Sequence, residues 1–103
     1  MVGTNAELTK AQAKRVAMMA QDGLARSIFP VHTLFDEDSV FAVASGGVEA
    51  EPSIVGAWAA DAVAEAVRRA VLLAEGAGGI PAVRKSEARK LWTQAYRPYS
   101  SAA

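Results

Sequence analysis

The sequence contains no cysteine, which removes disulfides, a thiol nucleophile and any cysteine-based zinc site. It has no apolar run of membrane-spanning length, because the most apolar stretch, Ile54 to Ala74, is broken by Asp61, Glu65, Arg68 and Arg69. No partnership with a membrane is expected. Neither charge is in excess, with 11 Lys+Arg against 11 Asp+Glu, so the overall field recruits no nucleic acid. The opening Met-Val-Gly-Thr-Asn lacks the basic and apolar regions of a secretory signal. The expected location is the cytoplasm.

What is present is largely apolar. Hydrophobic residues make up 51% of the 103 and charged residues 21%, which excludes a disordered tail. The length permits one domain with little margin, or one piece of a larger core.

Thr4-Asn5 reads as a turn into a first helix, over about Lys10 to Ser27, with Thr9 and Gln12 at capping-box spacing. Ala13, Val16, Ala17, Ala20, Gly23 and Leu24 fall on one face of that helix and Met18 on the polar side. Pro30 stops it. Ser39 to Ser45, closed by Gly46-Gly47, reads as a strand covered on both faces.

A second helix is predicted over about Ile54 to Glu75, with Val55, Trp58, Ala59, Ala62, Val63 and Ala66 at helical spacing and Ala62, Ala66, Ala70 and Ala74 as a smooth ridge. Gly76 to Pro81 reads as a helix stop and flexible turn. It follows a helix instead of a strand and lacks a downstream Lys-Ser/Thr, so it is no nucleotide loop. A third helix is predicted from Ser86 to Pro98. The expected order is helix-strand-helix-helix, with a vestigial strand at the start, in an α+β fold. One clear strand cannot make a sheet, so further strands must come from elsewhere.

Chemistry concentrates between Val31 and Gly47, which hold the single histidine, His32, and the triplet Asp36-Glu37-Asp38. Were Asp36 and Asp38 to enter the strand extended, their carboxylates would share a face roughly 6–7 Å apart. Two such acids in a partly buried site call for a cation between them, and His32 is the nearest on offer. Four readings compete: a solvated turn in which one acid caps local backbone, a divalent-metal site, a glycosidase pair, and support for a lysine or terminal amine. The chain has no second ligand cluster for the metal and is too small for a sugar cleft. A lone His is more often structural than catalytic, and no serine stands in an elbow context. Neither cofactor nor metal is expected.

The runs Asp22-Gly23-Leu24-Ala25-Arg26, Pro30-Val31-His32-Thr33 and Asp36-Glu37-Asp38-Ser39-Val40-Phe41-Ala42, with Ser45-Gly46 behind them, resemble the C-terminal part of the DmpA-type aminopeptidases. That family includes the β-peptidyl aminopeptidases and nylon-oligomer endohydrolases. The resemblance covers residues 2–84, leaving 85–103 as a basic, aromatic helical extension. It implies a fragment of a four-layer αββα, N-terminal-nucleophile-like hydrolase that cuts itself before a Ser or Thr, which then attacks amide bonds. Asp36 and Asp38 then become catalytic supports for the nucleophile and for a lysine of the large subunit, with His32 and Gly46 beside the site.

Phe29 stands where the family commonly has Arg, and Glu37 where it usually has Gly. The nucleophile-bearing segment is expected immediately upstream of Val2, with Thr4 downstream of it, so this polypeptide alone is expected to be inactive. Its expected partners are the large (α) subunit or further copies of itself, and a peptide or amide substrate. The alternative is a non-catalytic assembly module completing a partner's core, with Trp92, Tyr96 and Tyr99 docking on a neighbour. A nucleic-acid contact along Arg84 to Arg97 ranks below both.

Overall fold

A computed structural model describes residues 1–83 of the chain. The order there is β1 (Val2–Ala6), α1 (Lys10–Ala20), α2 (Asp22–Ser27), β2 (Ala42–Val48) and α3 (Pro52–Leu73). The helix predicted from Ser86 and the 85–103 extension lie outside the described residues. Contacts divide the chain into two units, Met1–Val67 and Arg68–Ala103.

Thr9 starts α1 as its spacing predicts. Its hydroxyl accepts from the Gln12 amide at 3.2 Å, while the Gln12 side chain accepts from the Thr9 amide at 2.9 Å, so two otherwise orphaned donors are satisfied together. The single helix expected over Lys10 to Ser27 is two, hinged at Gln21. Met18 lies on the exposed side.

The first strand corrects the reading of Thr4-Asn5 as a turn. Both residues lie in β1, which pairs in parallel with β2 through Val2↔Ala42, Gly3↔Val43 and Thr4↔Ala44. The sheet therefore forms within this chain, but with two strands only among the described residues, fewer than a sheet needs to stand alone. β2 also begins and ends later than its apolar run predicts. Gly46 (φ +79°) and Gly47 (φ +111°) do not terminate it; they form an irregularity opposite Asn5, after which pairing resumes at Ala6↔Val48. That left-handed backbone is where glycine carries no steric cost.

Alternation along the paired strands sends Val2, Thr4, Ala6, Ala42 and Ala44 toward the helices. Val16, Ala20 and Ala59 form the centre of the core, with Val2, Leu8, Val40, Ala42, Val55 and Val63 packed on it. The opposite face is open, with Phe41 65% and Val43 52% exposed. The strand expected to be covered on both sides is covered on one. α3 differs in its facing too: Gly56, Ala59 and Ala60 point inward, whereas Trp58, Ala62 and Ala66 are exposed. The small residues turn to the core because α3 lies against its neighbours closely. A Cβ built on Gly23 of α2 would run into the Ala60 carbonyl oxygen, and would stand 2.7 Å from Val63 Cβ.

In the second unit the chain turns tightly after α3. Ala77 and Ile80 exchange backbone hydrogen bonds of 3.1 and 3.0 Å around Gly78 and Gly79, both at positive φ, as a two-residue hairpin turn requires. No helix among the described residues is long and apolar enough to cross a membrane.

Candidate active site

The segment joining α2 to β2 carries the residues singled out for chemistry. α2 ends as the Ile28 amide bonds the Leu24 carbonyl at 2.9 Å, and the Phe29–Pro30 peptide is cis. His32 follows in the left-handed region (φ 58°) with its imidazole exposed. Residues 33–36 then make a β-turn in which the Asp36 amide donates to the Thr33 carbonyl at 3.1 Å.

Asp36 is not the first residue of an extended strand. Its carboxylate turns back on the loop, accepting from the Thr33 amide at 2.9 Å and the Thr33 hydroxyl at 3.1 Å. The strand begins at Ala42, so the extended geometry that would set Asp36 and Asp38 on one face of it is absent. Asp38 is exposed and makes no hydrogen bond among the described residues. Glu37 does not occupy the left-handed region, so replacing glycine there introduces no backbone strain. Gly46 sits at the far end of β2, beside a shallow open depression lined by Glu7, Thr9, Gln12 and Ser45.

The Asp36 carboxyl is held below the usual carboxylate range, first by the Thr33 amide, then by the Thr33 hydroxyl and the neighbouring His32. A depressed folded-state value means that ionised Asp36 stabilises the turn above its unfolded pKa, and that this support is lost as pH falls through the folded value. NMR titration of Asp36 is expected to give a midpoint below that of an aspartate in a flexible peptide. Thr33→Val should raise it; a midpoint indifferent to that substitution would show that the turn does not set it.

Thr33 is the residue sequence reasoning missed. The available signal was its place three residues before Asp36, the separation at which a hydroxyl and a carboxylate can close a turn on each other. Among the described residues no group of three or more His, Asp or Glu is placed to hold a metal ion.

Comparison with known proteins places the chain in a peptidase family. The profile of peptidase family S58 matches residues 1–84, and the chain belongs to that family. An uncharacterized aminopeptidase of Mycobacterium leprae (strain TN) is 48% identical, the match covering 79% of this chain and 26% of the relative. Uncharacterized aminopeptidases of Mycobacterium bovis (strain ATCC BAA-935 / AF2122/97) and Mycobacterium tuberculosis (strain ATCC 25618 / H37Rv) are each 40% identical, over 82% of this chain and 29% of the relative. The chain thus spans between a quarter and a third of the length of these relatives. No solved structure matches it.

Proposed function

We propose that this chain is the small-subunit portion of an autoprocessing amide-bond hydrolase, which acts on peptide or other amide substrates once joined to a larger portion. The observation that carries the reading is the family match over residues 1–84 in a chain spanning only 26–29% of its aminopeptidase relatives. In the complete enzyme an N-terminal Thr or Ser hydroxyl attacks the amide carbon, with its own α-amine as base. The larger portion supplies a lysine between the nucleophile and the acids of this chain. Asp36 and Asp38 support that pair, and Asp38 is the acid with no hydrogen bond of its own among the described residues.

The four-layer αββα arrangement belongs to this proposal. The open face of the β1–β2 sheet, with Phe41 and Val43 uncovered, supports it, since a second sheet would seat there. The same open face favours one alternative, a non-catalytic module that completes a partner's core.

The test uses purified full-length chain and a chimera in which this chain replaces the matching region of the Mycobacterium leprae relative, so that the relative's own upstream segment supplies the nucleophile. The chain alone is not expected to release amine from an aminoacyl anilide, whereas the chimera should, and Asp38→Asn in its grafted part should lower the rate. Hydrolysis by this chain alone, abolished by Asp38→Asn, would overturn the proposed division of labour. A stable but inactive chimera would leave the assembly module as the better account.

A further inference from the structure

Turn positions are ordinarily held by Gly, Pro, Asn, Asp or Ser, each for a backbone reason. The turn over residues 33–36 places Leu34 and Phe35 at its two central positions instead, and they are 99% and 92% exposed. Nothing in the turn requires them there. The turn is nonetheless held by four hydrogen bonds: Asp36 amide to Thr33 carbonyl, Thr33 amide and hydroxyl to the Asp36 carboxylate, and Phe35 amide to Thr33 hydroxyl at 3.3 Å. Two large apolar side chains on a tip already fixed in shape lose little freedom when a partner covers them, which is the property of an interface anchor.

We propose that Leu34 and Phe35 are the anchor by which this chain docks into an apolar pocket with a basic rim on the portion of an S58 peptidase that this chain does not contain. The identity of the partner rests on the functional reading above. The pocket's chemistry rests on the turn, because Asp36, Glu37 and Asp38 follow the apolar pair directly and are all exposed. Three acids beside the tip ask for Lys or Arg around the pocket. The same acids disfavour insertion of the tip into an anionic bilayer. The relatives extend well beyond the matched region, which covers 26–29% of their length, and that remainder is the partner the anchor fits.

Leu34→Ser/Phe35→Ser is chosen because both side chains are exposed, and unchanged circular dichroism would show the fold intact. Binding to the Mycobacterium leprae relative deleted of its matching region is measured by calorimetry at two salt concentrations. Wild type is expected to bind more weakly at higher salt, and the double variant at least about tenfold more weakly than wild type. Equal binding by both proteins beside a hydrolysing chimera overturns the anchor and leaves the functional reading standing. Tip-dependent binding beside an inactive chimera keeps the anchor and removes the functional reading. Absence of wild-type binding overturns the proposed partner. Tip-dependent self-association, or tip-dependent sedimentation with phosphatidylglycerol vesicles, overturns it in favour of a second copy or a membrane.

Discussion

Gly23→Ala is expected to destabilise the Met1–Val67 unit by about 1–2 kcal/mol, an overpacking cost near the upper end of its range less the gain of alanine over glycine in a helix. The added methyl would meet the Ala60 carbonyl and stand 2.7 Å from Val63 Cβ and 2.9 Å from the Ala64 nitrogen. Two of these three neighbours are backbone atoms of α3, so no rotamer change relieves them and the helices must separate. Separation exposes Ala60, one of the small residues that α3 buries. Gly3→Ala is the control, since nothing lies within 4 Å of its added Cβ, and it should be near neutral. Urea denaturation decides: equal midpoints for wild type and Gly23→Ala would show that α2 and α3 do not pack as described.

Val16→Asp is expected to cost more, about 4 kcal/mol or above, enough to abolish cooperative folding in a small unit. Val16 is the one large side chain among the described residues that is fully buried, and no polar or charged residue among them is buried with it. A carboxylate there would be unpaired. Burial would raise its pKa, so the native state holds its proton more tightly than the unfolded chain, and stability should recover as pH falls below that raised value. Val16→Ala removes only packing and should cost about 2 kcal/mol at any pH. A Val16→Asp protein that melts like wild type at neutral pH would place the core elsewhere.

Local chemistry was legible in the sequence and tertiary pairing was not. Thr9 and Gln12 announce the start of α1 because a capping box is complete within four residues. Met18 was read correctly as exposed, because one apolar residue among charges carries its own signal. β1 was legible only as a vestigial strand at the start: Thr4 and Asn5 have turn-like composition, and only β2, some forty positions on, carries the strand through them. The glycines that close the predicted strand instead lie inside β2, since sequence does not distinguish a bulge from a stop. Trp58 shows the reverse failure. Helical spacing placed it with the core residues, yet it is 71% exposed, because close helix contact selects the alanine and glycine face of α3. For the candidate site, one of the four readings of the acidic pair, a turn capped by its own acid, describes Asp36 as observed. The lysine that would give Asp36 and Asp38 a catalytic role is expected from outside this chain, so the chimera is the experiment that tests that role.

The parallel pairing of β1 with β2 has a consequence for synthesis. β1 leaves the ribosome before β2, and its register partners, Ala42 to Val48, emerge only after both intervening helices. At ordinary translation rates that delay is a few seconds. During it β1 is an unpaired edge, the usual point of entry for aggregation. Its sequence, Val-Gly-Thr-Asn-Ala, carries a single large apolar side chain. A strand so poor in apolar side chains offers other nascent chains little to bind until its neighbour arrives.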